Sequence, residues 1–322
     1  MYENILPRVL NAYDIKYRNI FDCQSGYRNE IWPVLDENNR MINVTFYKSE
    51  VGIIDRIKRA NAVSEYLAQR GMSTRKRIDP RTLVLKSGDF VVNVNVYNYL
   101  PGSTIPWEAY TMEYIKALGA TMGNMHALLA DMSVRDFPSV YDEYEVIVNR
   151  MREYFARPNI QKAAADKLNL HVGEIDFGEY IKLLCQYRRL PNQQVLHMDF
   201  VRGNVLFEDE KISGVIDFEK TSAGHAVVDI ARTLAFLLVD CKYKTARQVS
   251  KYFLHSGCQK RGQNSDIGNR TDRNRFVEMF LLYDLYKFML HNPYEALELN
   301  EHYTRTRDIL VKFGVLLYKI TR

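Results

Sequence analysis

The sequence predicts an α+β protein in which a small, sheet-rich lobe precedes a larger, mostly helical one. Three observations carry this. Met41 to Lys48 alternates, with Ile42, Val44, Phe46 and Lys48 on one face and Asn43, Thr45 and Tyr47 on the other, as a strand does. Residues 82–86 and 90–97 have the same character around Gly88-Asp89, which predicts two antiparallel strands joined by a tight turn. Past Pro101-Gly102 the pattern changes to long helical periodicities.

In chain order, residues 31–48 read as sheet. Ile53, Ile57, Ala60, Ser64 and Leu67 then fall at helical spacing, and Gly71 stops that helix. The strand pair 82–97 completes a first lobe, 1–97, an antiparallel sheet with one main helix. Residues 98–102 form the connection, and 103–322 the second lobe. Helical patterns there cover 107–130, 140–156, 177–188, 226–239, 275–290 and 302–319. The exception is 195–218, where Val-Leu-His, Val-Leu-Phe and Val-Ile-Asp-Phe read as short strands around tight loops. Residues 257–275, rich in Gly, Asn, Arg and Gln, read as a loop.

A chain of 322 residues has room for two lobes, and 47% hydrophobic with 26% charged residues is too apolar for disorder. The net charge of +5 is concentrated in residues 241–275, where nine Lys or Arg stand against Asp266 and Asp272. That segment has Tyr243, Tyr252 and Phe253 but no basic–aromatic alternation, so it reads as solvated helix and loop, and no nucleic-acid partner is expected. Cys23, Cys185, Cys241 and Cys258 form no C-x-x-C pair and read as reduced thiols. The first eight residues lack the apolar core of a signal peptide, and the greasy stretch Leu234 to Val239 is far shorter than a membrane span. The expectation is a soluble, cytoplasmic protein with no membrane partner. Oligomeric state is not legible.

The densest chemical signal is Leu196-His-Met-Asp-Phe-Val-Arg-Gly-Asn204, which sets His197, Asp199 and Asn204 in the spacing H-x-D-x-x-x-x-N. Thirteen residues beyond Asn204, Val215-Ile-Asp-Phe-Glu219 supplies Asp217. Phosphoryl transfer asks the protein for alignment and charge cancellation more than for covalent chemistry. A carboxylate must meet the attacking hydroxyl, which suits Asp199. Oxygen donors must hold a metal on the phosphates, which suits Asn204 and Asp217. Mg²⁺ takes few protein oxygens and fills its octahedron with water and phosphate, so one amide and one carboxylate are a sensible supply. His197 is assigned to this catalytic loop as a brace rather than a reacting group.

These residues resemble the aminoglycoside phosphotransferase and choline kinase superfamily, small-molecule relatives of the protein kinases. The likeness rests on His197-Met-Asp199 with Asn204, on Ile216-Asp217-Phe218-Glu219, on Gly123-Asn-Met-His126 within a helix, and on Asp229-Ile-Ala231 after the metal Asp. It implies a two-lobed protein-kinase-like fold, ATP and Mg²⁺ as cofactors, and a small-molecule hydroxyl as acceptor. Sugars, amino alcohols, a homoserine-like metabolite and aminoglycoside-like antibiotics all fall in that class. The helical lobe shows no acidic run, which tilts the expectation away from a polycationic acceptor. Asp229 is expected to steady the catalytic loop.

In the first lobe the resemblance places Lys48 on the α- and β-phosphates, with Glu65 as its ion-pair partner and Phe46 against adenine. The backbone of Asn98, Tyr99 and Leu100 is expected along the adenine edge. Gln24-Ser25-Gly26-Tyr27-Arg28-Asn29 stands where the family carries a phosphate-covering loop but holds one Gly, so Ser25 or Arg28 is expected to compensate. Asp176-Phe177-Gly178 spells the metal motif of protein kinases, yet it precedes the catalytic loop and opens a helix. Asp176 is therefore read as an N-cap. Two rivals stand beside this reading. The thin glycine loop suits a degenerate kinase-like scaffold that binds nucleotide without turnover. His197, Asp199, Asp217 and His225 suit a metal hydrolase, though no second histidine pair is present.

Overall fold

The computed structural model describes residues 2–26, 29–87, 90–259 and 266–318. The chain forms two compact units, Met1–Thr104 with Asn204–Lys220, and Ile105–Gly203 with Thr221–Arg322. Two stretches fall otherwise than in the expected lobes: residues 98–104 and residues 204–220 both belong with the first unit. The cause is hydrogen bonding. The hairpin Val205–Glu208 and Lys211–Val215 exchanges Ser103 N–H to Phe207 O (3.0 Å) and Phe207 N–H to Ser103 O (2.8 Å), and Val215 N–H donates to Ser73 O at 2.9 Å.

The first unit opens with helix α1 (Leu6–Ala12), which Pro7 helps to start. Strands β1 (Tyr17–Ile20), β2 (Gln24–Ser25), β3 (Asn29–Asp36) and β4 (Met41–Lys48) follow, then helix α2 (Ile53–Gln69), β5 (Leu83–Ser87) and β6 (Phe90–Asn98). The strands make an antiparallel sheet in the order β1-β3-β4-β6-β5, with β2 beside β3. The strands expected at 82–86 and 90–97 are present; the Gly88-Asp89 turn between them lies outside the described residues.

The sheet's two faces differ in chemistry. Ile42, Val44, Phe46, Trp32, Val92, Val94 and Val96 pack under Leu6, Val9, Leu10 and Tyr13 from the N-terminal segment. The opposite face carries Tyr47 and Tyr97, which pack against Ile53 and Ile57 of α2. Pairing across β4 and β6 sets Asn43 opposite Tyr97, Thr45 opposite Asn95 and Tyr47 opposite Asn93, so this second face is polar. Helix α1 went unread in the sequence because seven residues offer too few turns to show a period.

The second unit holds α3 (Met112–Leu129), α4 (Val140–Phe155), α5 (Pro158–Lys167), α6 (Phe177–Arg188), α7 (Ala226–Asp240), α8 (Ala246–Ser250), α9 (Arg270–His291), α10 (Tyr294–Leu297) and α11 (Glu301–Lys312). Asp176 caps α6, accepting the Gly178 N–H at 2.9 Å, as its sequence context implied. The basic segment 241–275 is more structured than expected, since α8 continues into a π-helix at Lys251–Cys258; residues 260–265 lie outside the described part. Several of its cations serve the fold: Lys242 pairs with Glu301 at 2.7 Å, Arg275 with Glu179, and Lys244 reaches Tyr110 O. The four thiols are free, and burial pushes those of Cys241 and Cys258 up to about 12. Among the described residues no helix is long and apolar enough to cross a membrane.

The π-helix and α3 touch through glycines. A Cβ on Gly119 would run into the Phe253 carbonyl and the Gly257 Cα, and one on Gly257 would meet Gly119 Cα at 2.6 Å. Neighbouring backbone cannot retreat as a side chain can. Gly119→Ala is therefore expected to lower stability by about 1–3 kcal/mol through overpacking, read as a shift in urea midpoint. An unchanged midpoint would show that the two helices separate freely.

Candidate active site

The catalytic loop is built around a buried carboxylate. Strand pairing of Gln194–Leu196 with Ser222–Gly224 leads one chain segment into His197 and the other into α7. Asp229, in the first turn of α7, is fully buried. Its carboxylate accepts the His126 Nε2–H at 3.0 Å and the backbone N–H groups of His197 and Met198 at 2.8 Å each. Burial alone would raise its carboxyl, but the hydrogen bond and charge of His126, helped by His197, prevail and hold it below the ordinary carboxylate value. Thr233 Oγ1 donates to Phe200 O at 3.1 Å and pins the loop further along.

Held in this way, the loop puts Met198 in the left-handed region (φ 61°) and leaves Asp199 half-buried. A Met adopts that backbone only where its surroundings force it. His197 is fully buried, and its Nδ1 accepts the Asp199 N–H at 3.2 Å. Arg232, one turn along α7 from Asp229, lies within electrostatic reach of Asp199 and is itself paired with Asp284 at 3.0 Å. Arg202, three residues past Asp199, pairs with Asp240 at 3.1 Å.

In the first unit, Ile216 N–H donates to Asn204 O at 2.9 Å, which sets Asn204 beside the residue preceding Asp217. Asp217 also sits in left-handed backbone (φ 62°). Glu219 is buried and accepts Asn29 Nδ2–H at 2.7 Å. An amide and a carboxylate brought together on a hairpin end, with a second carboxylate two residues on, is a donor set suited to Mg²⁺.

Three first-lobe expectations change. Phe46 is not placed for adenine: it is fully buried, stacked on Tyr2 with ring centres 4.8 Å apart, on the sheet face covered by α1. Lys48 follows Phe46 on that face by strand alternation and is exposed. Glu65 lies on α2, across the sheet, and its carboxylate is held by Arg77, Nε to Oε1 at 2.6 Å and Nη2 to Oε2 at 3.0 Å. The Lys48–Glu65 pair is therefore not formed. Strand alternation shows which residues share a face but not which face α1 covers.

Along the connection, Asn98 N–H donates to Lys76 O (3.0 Å) and Tyr99 N–H to Met41 O (3.4 Å), so these two amides serve the sheet edge. Among the described residues the Leu100 N–H has no backbone partner. Ser25 pairs with Glu30 through its backbone, and Gly26 N–H closes a turn on Asn29 O at 2.8 Å; Tyr27 and Arg28 lie outside the described residues. The hydrolase cluster does not assemble. His225 Nδ1 accepts the Tyr141 O–H (2.6 Å) and its Nε2–H donates to Pro191 O (2.7 Å), and no three His, Cys, Asp or Glu among the described residues converge as metal ligands.

Comparison with known proteins defines the class. Residues 22–248 match the model of the phosphotransferase enzyme family APH, most of the chain, and the chain belongs to that family as a small-molecule kinase. A homoserine kinase of Xanthobacter autotrophicus is 25% identical over 236 residues, 72% of this chain and 70% of that protein. The structure of an amicoumacin kinase in complex with AMP-PNP, Ca²⁺ and Ami superposes with a TM-score of 0.68 at 16% identity, covering 97% of this chain and 96% of that one. A microcompartment-associated aminopropanol kinase gives 0.63 at 12% identity, covering 97% and 98%. The fold is the two-lobed, protein-kinase-like α+β fold, with an antiparallel sheet in the first unit and helices in the second.

The Asp229 arrangement makes a test. Asp229→Ala is expected to cost about 3–5 kcal/mol, as removing one partner of a buried charged pair does. Because folding holds this carboxyl below its unfolded value of 3.8, the stability it contributes is complete above that pH and fades as pH falls towards the lower folded value. Urea unfolding should thus show the variant's deficit shrinking as pH is lowered through 3.8. A deficit independent of pH would mean that shape, not charge, holds the loop.

Proposed function

We propose that this kinase moves the γ-phosphate of ATP, with Mg²⁺, to a hydroxyl of a small amine- or amino-acid-like molecule. The observation supporting this is the Asp229 anchor, which holds the His197 and Met198 amides of the loop that carries Asp199, the residue we assign as the base. Asn204 and Asp217 are the residues that would hold Mg²⁺, which when bound neutralises phosphate charge. The Leu100 amide is the group suited to an adenine edge, and Ser25, through its backbone turn, to a phosphate. Asp199 would orient the hydroxyl and accept its proton as the new O–P bond forms and the bond from the γ-phosphorus to the β–γ bridging oxygen breaks, with ADP as the leaving group.

The acceptor reading is supported by a recess of about 370 Å³ in the second unit, lined by Phe236, Asp240, Asp284, Phe288, His291 and His302 among others. Two ion pairs tie its walls to the loop region, Asp240–Arg202 and Asp284–Arg232, and Lys287 also lies on its rim. Acidic and basic groups here nearly balance, which favours a zwitterion or a singly charged amino alcohol over a polycation. The homoserine kinase and aminopropanol kinase relatives point the same way. Burial pushes the Asp240 carboxyl up against the opposing pull of Arg202 and His302.

Nucleotide turnover with a panel of homoserine, aminopropanol, simple sugars and aminoglycosides tests the reading. Homoserine or aminopropanol is expected to outperform any aminoglycoside. Asp199→Ala should lower kcat by about 10²–10⁴-fold, as loss of a general base does, in a protein that still folds. Asp217→Ala should abolish metal-dependent turnover. Full activity in either variant would remove the mechanism.

A further inference from the structure

Arg75 lies in the loop after α2, and its backbone is fixed from two sides. Ser64 Oγ donates to Arg75 O, and Thr74 Oγ1 to Ser64 O, each at 2.6 Å, tying the loop to α2. On the other side Thr74 forms a parallel bridge with Val215, Val215 N–H donates to Ser73 O at 2.9 Å, and Ser73 Oγ reaches Ser213 O. Residues 73–75 therefore run alongside the strand that ends two residues before Asp217.

From that position the guanidinium lies over the Tyr97 ring, 4.7 Å from its centre. Tyr97 is held in turn, with its hydroxyl 2.7 Å from Tyr47 Oη and donating to Asn61 Oδ1 at 2.8 Å. Arg75 lies within electrostatic reach of the Tyr47 and Tyr97 phenols and, after them, of Asp217 and Glu219. Arg77 pairs with Glu65, Arg81 with Asp79 and Arg40 with Asp36. Among the described residues, Arg75 makes no side-chain hydrogen bond or salt bridge. The sheet face behind it also carries buried polar atoms with no hydrogen-bond partner, Asn43 Oδ1, Thr45 Oγ1 and Asn93 Oδ1.

We infer that Arg75 is the cation that receives the nucleotide phosphates beside Asp217, doing from the loop after α2 what was expected of Lys48 on β4. The inference rests on the proposed ATP-dependent function. A guanidinium is well matched to phosphate, because its planar fork meets two oxygens at once while its face stacks on an aromatic ring. Lys48 stands on the opposite face of the sheet from Tyr47 and Tyr97. No sequence motif marks Arg75, because its relation to Asp217 is created only by the pairing of 73–75 with 213–215.

Calorimetry of the full chain with MgADP and with adenosine, for the wild type, Arg75→Met, Arg75→Lys and Lys48→Met, decides the matter. Arg75→Met is expected to weaken MgADP binding by about 10- to 100-fold, the usual worth of charged hydrogen bonds, and to leave adenosine binding unchanged. Arg75→Lys should retain part of that affinity and keep the wild-type melting temperature. Arg75→Lys therefore serves where Arg75→Met fails to fold: affinity equal to wild type in the lysine variant, with Arg75→Met unfolded, would assign Arg75 to the fold alone. Equal losses for MgADP and adenosine would do the same. Loss in Lys48→Met with none in Arg75→Met would return the role to β4. A wild type that binds neither MgADP nor MgATP would instead defeat the ATP-dependent reading itself.

Discussion

A buried, ionised carboxylate is expensive unless every lone pair it presents is met, and Asp229 is where the second unit settles that demand. Two of its three donors are backbone amides of the catalytic loop, so the loop has no freedom to drift without exposing an uncompensated charge in the interior. The third donor, His126, is supplied by α3, and α3 is positioned by the glycine contact with the π-helix. Spacing of small residues in one pair of helices thus fixes the direction of a carboxylate far away in sequence. The left-handed backbone of Met198 is the visible strain of that arrangement, and the hydrogen bonds to Asp229 are what sustain it.

How much of this could be read in advance depended on whether the information was local. The candidate residues Asp199, Asn204 and Asp217 stood out because one loop and the next hairpin carry them at fixed spacing. Helices α6 and α7 were legible because apolar residues recur through several turns and Asp176 supplies a cap. Helix α5 was not, since a polar, ten-residue segment with one buried residue leaves no apolar stripe to see. Assigning 204–220 to its unit needed the hydrogen bonds of Ser73 and Ser103, contacts that nothing in the chain order announces.

Strand alternation illustrates the limit most clearly. It groups Phe46 with Lys48 and Thr45 with Tyr47 correctly, yet it is symmetric with respect to the two sides of the sheet. Which side meets a ligand is decided by what covers the other, and here α1 with Tyr2 occupies the apolar side. With that helix in place, the polar face with Tyr47 and Tyr97 lies on the other side, packed against Ile53 and Ile57 of α2, and Arg75 reaches the Tyr97 ring from the loop that follows α2.

The arginines of the 75–81 segment show how a single ion pair redirects a site. Residues 75–77 run extended enough that Arg75 and Arg77 can differ in environment while Lys76 spends its amide on Asn98. Arg77 claims Glu65 bidentately, and with that the acidic side chain on α2 expected to serve a β4 lysine is taken. Arg75 remains within electrostatic reach of Asp217 and Glu219 without an ion pair of its own among the described residues. Under the proposed reading, phosphates that arrive with a divalent cation would meet the guanidinium and the carboxylates together, so nucleotide binding is expected to depend on the metal.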